Sequence, residues 1–254
     1  MTARKNCPAW PTISPNRAGP FGGFSLMIKF DVITIFPDLF KNFISESLLA
    51  RAQKKNLIKI NTHNLREWTT DNHKTVDGRP YGGGAGMILK IEPIFKAVKS
   101  VKLKVKSKKS RVILLSAKGK TFTQKDARRL TMYEQVIFIC GRYEGVDERV
   151  AKYIADEETS IGNYVLFGGE VPAMVIMEAV SRLIAGVVAK EESIRNESFS
   201  NFKLKAKSSK LLKEHPHYTR PEVFVLNGKK LKVPPVLLSG DHEKIDEWRM
   251  KNSK

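Results

Sequence analysis

The chain has 254 residues, with 45 Lys and Arg against 26 Asp and Glu and a formal net charge of +19. That length supports one sizeable core or a large domain with a smaller partner, and that charge favours a polyanionic partner, nucleic acid first, though ribosomal proteins and membrane-surface binders share it. No window approaches the roughly 20 apolar residues of a membrane helix, and Cys7 and Cys140, the only cysteines, have no zinc-ligand spacing, so a soluble protein of the reducing cytoplasm is expected.

Residues 1–26 are rich in Pro, Gly, Asn and Ser without apolar periodicity and read as a disordered extension ahead of Met27. From Ile28 to Phe36 β-formers alternate with polar residues, which predicts a strand. Pro37-Asp38 then opens a helix with Leu39, Phe40, Phe43, Leu48 and Ala52 at helical spacing. Leu57 to Thr62 reads as a strand, residues 64–86 as a long Gly-rich loop, and Pro93 to Val98 as a short helix. The alternation continues with a strand at Arg111–Ser116, a helix at Gln124–Met132, a strand at Gln135–Cys140 and a helix at Asp147–Tyr153. Ile161 to Leu166 is a further strand, followed by an apolar helix from Pro172 to about Ala185 that is buried or at an interface. Residues 189–217 are charged and Ser/Lys-rich and read as a mobile, basic interdomain linker. A small unit, 218–254, carries Val233-Pro234-Pro235 and then Ser239-Gly240-Asp241 as the start of a helix through Trp248. The pattern is that of an α/β fold.

Three Gly-rich stretches can bring backbone close to a ligand: Arg79 to Gly86, Cys140 to Gly145, and Ser160 to Glu170. None is a Gly-x-x-x-x-Gly-Lys-Ser/Thr phosphate loop or a Gly-x-Gly-x-x-Gly dinucleotide turn, which argues against an ATPase or a dehydrogenase. Cys140 closes an apolar run and reads as a small buried hydrophobe without chemistry. His73, His215 and His217 read as structural or RNA-contacting. The run from Lys102 to Arg111 alternates lysines with Leu103 and Val105, as a charged edge strand does, and could also grip phosphates together with the linker lysines Lys203, Lys205, Lys207, Lys210 and Lys213.

In these motifs the chain resembles the bacterial tRNA (guanine-37-N1)-methyltransferase family of the SPOUT class. The resemblance runs from Met27 to about Lys251 and rests on Ile35 to Pro37, His73 to Asp77, Arg79 to Met87, Cys140 to Val150, Ser160 to Glu170 and His217 to Glu222. It implies a parallel sheet with a C-terminal trefoil knot in a cofactor-binding domain, 27–188, and a small, mainly helical tRNA-binding domain at 218–254, shortened here. It also implies a homodimer whose active sites are shared between subunits. The implied methyl donor is S-adenosyl-L-methionine, lined by Leu114, Leu115 and Ser116, by Gly141, Tyr143, Glu144 and Gly145, and by Ile161, Gly162, Tyr164, Leu166, Gly168 and Gly169. Transfer to N1 of guanosine 37 needs a base, because that nitrogen carries a proton.

The family's aspartate before Ser-Phe is matched by Glu197 in Asn196-Glu197-Ser198-Phe199, a carboxylate on a chain one methylene longer. Arg182 matches the arginine expected to hold negative charge on guanine O6. Asn163, Phe167 and Leu114 also depart from common family choices, and residues 202–213 form a longer, more basic linker. No protein metal site is implied, although Mg2+ carried by substrate or cofactor oxygens fits the reaction. The alternative reading is a non-catalytic or differently targeted SPOUT RNA-binding protein.

Overall fold

The structure is a computed structural model and describes residues 27–105, 109–188, 198–199 and 214–253. The expectation for residues 1–26, the base candidate Glu197 and the linker lysines lie outside the described residues. Five strands form one sheet: β1 (Ile28–Thr34), β2 (Ile58–Asn64), β5 (Ser110–Thr121), β6 (Gln135–Cys140) and β7 (Glu157–Ser160). Their order is β2-β1-β6-β5-β7 and every pairing is parallel, as the family resemblance implied.

Parallel sheets are covered on both faces, and the strand periodicity supplies both. Phe30, Val32, Phe138 and Leu115 point to one face, where they pack with Leu49 and Ala52 of α2 (Ser47–Lys54), Ala127 and Leu130 of α4 (Gln124–Leu130), and Ala173, Ile176, Met177 and Val180 of α6 (Glu170–Ser181). Ile33, Leu114, Ile137 and Ile139 point to the other, under Ile94, Ala97, Val98 and Val101 of α3 (Ile91–Val105) and Val150 of α5 (Glu148–Tyr153). The Phe30 and Phe138 rings stack at 6.2 Å. On the α3 face Asp31 is buried, which pushes its carboxyl up. Hydrogen bonds from His63, Gln135 and Asn61 and the His63 charge outweigh that, so its pKa lies below the usual value.

Several expectations are corrected. Residues 37–54 are not one helix: a 3-10 turn at Pro37–Phe40 and α1 (Lys41–Ser45) precede α2, and the break lies at Glu46, which is extended at φ −122° and ψ 164° and is followed by Ser47 at φ 55°. The alternating lysines at 102–105 lie on α3, not on an edge strand, because the buried set Ile94, Ala97, Val98 and Val101 repeats at helical spacing and carries the helix through them. Ile161–Leu166 is an irregular loop, and the strand is the polar stretch before it, Glu157–Ser160.

In the C-terminal part an antiparallel hairpin, β8 (Val223–Leu226) and β9 (Lys229–Lys232), precedes α7 (His242–Asn252). It turns through Asn227 and Gly228, both at positive φ, the strongest short hairpin signal in the chain. Asp241 caps α7 by accepting from Lys244 N, as the Ser-Gly-Asp start signal predicted.

β5 is longer than its expected Arg111–Ser116. Leu115 and Lys120 both pair with Thr159 of β7, so Ser116–Gly119 pass around a single residue of that strand. A Cβ on Gly119 would lie 2.6 Å from both the Glu158 and the Thr159 carbonyl carbon. Among the described residues no helix is long and apolar enough to cross a membrane.

Candidate active site

The carboxyl ends of β1, β6 and β7 point the same way, and the loops that leave them converge, the usual place for a ligand in an open parallel sheet. The loop 141–147 follows β6 and the loop 161–169 follows β7. They are joined by the Gly169 N–H donating to the Gly141 carbonyl at 3.0 Å and by an antiparallel bridge between Arg142 and Gly168.

The Gly-rich stretch 79–87 lies between two short strands, β3 (Asp77–Gly78) and β4 (Ile88–Leu89), and docks on the same loop. Glu144 N donates to Met87 O at 3.1 Å, Leu89 N to Gly145 O at 3.1 Å, and Asp147 N to Leu89 O at 3.0 Å. All three Gly-rich motifs therefore belong to one constellation.

The glycines are there for close approach. A Cβ on Gly169 would sit 2.7 Å from Cys140 Cα, so only glycine lets α6 start against the end of β6. Gly86 has φ 83°, and a Cβ there would come within 2.8 Å of Glu144 Oε1. Gly145 instead has φ 114° with no atom within 4 Å of a built Cβ, which leaves main chain open beside Tyr143, itself at φ 59°. Ser160 Oγ closes the start of the second loop by donating to Gly162 O at 2.8 Å.

Loop by loop, the structure brings together Gly141, Tyr143, Glu144 and Gly145 with Ile161, Gly162, Tyr164, Leu166, Gly168 and Gly169 at this end of the sheet. The Tyr143, Glu144, Tyr164 and Leu166 side chains are exposed. Ser116 begins the turn around Thr159 and its hydroxyl accepts from Lys118 N at 3.1 Å. Leu114 and Leu115 are also at this end, but their side chains are buried on opposite faces of the sheet and their backbone is in register with β6 on one side and β7 on the other, so the structure does not open them to a ligand.

Cys140 is buried as expected. Burial, then the Glu170 charge, pushes its thiol well above the usual range, which fits a packing residue and not a nucleophile. Exposed apolar walls and free backbone beside glycines suit a flat base and a small zwitterion, so the residues present fit S-adenosylmethionine.

Arg182 is not brought to these loops within one chain. It caps the far end of α6, and a twelve-residue helix separates it from Gly169 by about 18 Å. Ser198 and Phe199, which follow Glu197, are held: the Ser198 hydroxyl accepts from Glu214 N at 3.0 Å, and Arg128 of α4 donates to the Phe199 carbonyl at 3.0 Å. His215 lies 4.5 Å from the His217 ring, and Trp248 of α7 packs edge-on against His215 and Tyr218.

Sequence reasoning gave no role to Thr34, Arg142 or Glu170. Glu170 is 1% exposed, accepts from the Thr34 hydroxyl at 2.7 Å and pairs with Arg142 Nε at 2.9 Å. An acid at the first position of a largely apolar helix was the available signal. Among the described residues no group of three or more His, Cys, Asp or Glu is arranged to hold a metal ion.

A family model described as tRNA (Guanine-1)-methyltransferase TrmD matches residues 28–254. Curated relatives called tRNA (guanine-N(1)-)-methyltransferase include one from Carboxydothermus hydrogenoformans, 50% identical over 89% of this chain and 83% of its own length. One from Bacillus pumilus is 48% identical over 89% of this chain and 86% of its own. A third, from Endomicrobium trichonymphae, is 44% identical over 89% of this chain and 94% of its own.

Proposed function

The chain belongs to the tRNA (guanine-1)-methyltransferase family, and on that premise we propose that it methylates N1 of guanosine 37 of tRNA, beside the anticodon, with S-adenosylmethionine as donor. The observation that carries this reading is the convergence of the Gly-rich segments 79–87, 141–147 and 161–169 at the carboxyl ends of the strands, through main-chain hydrogen bonds. The donor supplies a methyl group on a sulfonium, open to in-line displacement. The loops would hold it by backbone and apolar contact, and the exposed Glu144 carboxylate would balance its positive charge.

Glu197 would take the N1 proton, the freed lone pair would bond to the methyl carbon as the carbon–sulfur bond breaks and leaves its electron pair on sulfur, and Arg182 would hold the charge that gathers on O6. The turn Ser116–Gly119 around Thr159 supports a trefoil knot formed by the chain after Cys140. In this reading residues 27–188 are the cofactor domain, 189–217 the linker that carries the base, and 218–254 the tRNA-binding part. The compartment of its tRNA substrate is the cytoplasm.

The test is methyl transfer to unmodified tRNA bearing guanosine 37, with the product nucleoside identified. 1-Methylguanosine at position 37 is expected, together with no transfer to the same tRNA carrying adenosine there. A chain that binds tRNA and S-adenosylmethionine yet yields no 1-methylguanosine would be a differently targeted or non-catalytic RNA binder.

The same reading makes the protein a homodimer with shared sites. Support comes from apolar side chains turned outward around the second loop and α6: Val165 (86% exposed), Phe167 (95%), Val171 (55%) and Val175 (43%). Support also comes from Arg182, which is too distant to serve the loops of its own chain. Val171→Glu with Val175→Glu is expected to give a monomer in sedimentation velocity and to abolish methyl transfer. A native chain that sediments as a monomer at micromolar concentration, or a double variant that remains a dimer, sinks the shared-site assignment.

A further inference from the structure

We propose that Glu170, acting through Arg142 and Thr34, is a positioning residue that fixes the spacing of loops 141–147 and 161–169 and thereby sets the affinity for the methyl donor. The inference rests on the functional reading above and adds residues which that reading does not use.

Three chain segments meet at one buried carboxylate. Oε1 of Glu170 accepts from the hydroxyl of Thr34, the last residue of β1, at 2.7 Å, and Oε2 accepts from Arg142 Nε of the first loop at 2.9 Å. Glu170 itself ends the second loop and begins α6, where a negative charge is favoured by the helix dipole. The Thr34 oxygen in turn accepts from Phe36 N at 2.9 Å, and the Arg142 guanidinium lies 4.7 Å from the centre of the Phe36 ring. Arg142 is thus fixed in two directions, by an ion pair and by a ring, both anchored on the end of β1.

The backbone is shaped to allow this. A Cβ on Gly168 would collide with Arg142 Nε and come within 2.7 Å of Glu170 Oε2, so glycine at 168 lets the guanidinium reach the carboxylate. The Arg142–Gly168 bridge and the Gly141–Gly169 hydrogen bond lie directly on top of the pair. Residues 163–167 beyond it are all exposed, so this cluster and the Ser160–Gly162 contact set where the second loop leaves the sheet. A buried ion pair adds little net stability compared with an apolar cluster of the same volume, so its location at the junction of the two loops points to geometry.

The experiment measures three things on Glu170→Gln, Thr34→Val and Thr34→Ser in the full chain: the S-adenosylmethionine dissociation constant by calorimetry, steady-state kinetics with tRNA, and the thermal midpoint without ligand. Glu170→Gln and Thr34→Val are each expected to weaken donor binding about tenfold, the effect of one charge-assisted hydrogen bond, while the tRNA KM and the kcat at saturating donor stay within about threefold. Thr34→Ser, which keeps the hydroxyl, is expected to bind the donor like the native chain. The role is overturned if folded Glu170→Gln and Thr34→Val bind the donor as the native chain does, or if Thr34→Ser is as weak as Thr34→Val. Should Glu170→Gln fail to fold, the two Thr34 variants decide. A native chain that binds no S-adenosylmethionine overturns the functional reading as well, whereas native binding with equal binding by the variants removes only the positioning role.

Discussion

Glu197→Gln is expected to lower kcat for methyl transfer by about 10²–10⁴-fold, the usual contribution of a positioned general base, with S-adenosylmethionine binding changed by no more than about twofold. The amide has the size and much of the hydrogen-bonding capacity of the carboxylate but cannot take a proton at neutral pH. Guanine N1 then keeps its hydrogen and has no lone pair to offer the methyl carbon. Glu197→Asp restores the carboxylate on a chain one methylene shorter, so it should keep measurable turnover where glutamine does not. The order native, aspartate, glutamine distinguishes a base from a residue that merely packs, since packing would rank the isosteric glutamine above the shorter aspartate. The two residues that follow it are held: Arg128 donates to the Phe199 carbonyl, and the Ser198 hydroxyl accepts from Glu214 N. Single-turnover rates on unmodified tRNA give the answer, and a glutamine variant within threefold of native would remove Glu197 from the mechanism.

The second large effect concerns stability. Gly119→Ala is expected to cost about 1–3 kcal/mol or more, the range for overpacking a tight site, and to lower the thermal midpoint by roughly 2–4 °C for each kcal/mol at this chain length. The added Cβ would meet only main chain of β7, with the carbonyl carbons of Glu158 and Thr159 both 2.6 Å away, so no side chain can swing aside. Either β7 shifts from Leu115 and Lys120, or the turn that carries Ser116 opens, and in both cases donor binding should fall as well. Gly82→Ala is the matched control. Its φ of 85° imposes backbone strain of about 1 kcal/mol, yet its Cβ meets nothing within 4 Å. Calorimetric scans that place Gly119→Ala at or above Gly82→Ala in thermal midpoint would contradict the crowding at β7.

How much of this was readable from the sequence depended on whether a side chain's partner lies within the chain and nearby. β1, β6 and α6 were readable because their apolar residues face the two cores and so carry the strand or helix period. β7 was not, because Glu157–Ser160 is polar and is held by pairing to β5 at Leu115 and Lys120. The apolar residues just after it looked like a strand, but Tyr164, Val165, Leu166 and Phe167 face outward. The lysines of α3 alternate as in a strand, and only the spacing of its buried residues Ile94, Ala97, Val98 and Val101 marks the helix. The Asn227-Gly228 turn was readable and was passed over. In the site, the three Gly-rich motifs are local patterns and lie on loops that meet, while the Thr34–Glu170 hydrogen bond joins residues 136 apart, a separation that no local pattern encodes.

The contact between Gly141 O and Gly169 N has a consequence for inhibition. The donor site proposed above, with main-chain carbonyls and amides beside glycines, would present an inhibitor with atoms that every amino acid shares. A compound that pairs with that backbone offers the cell few escape mutations. Replacing Gly169 crowds Cys140 before it can repel a drug, and adding a side chain at position 141 does not remove the carbonyl. Resistance should therefore arise first against compounds that lean on the exposed side chains of Tyr143, Glu144, Tyr164 or Leu166.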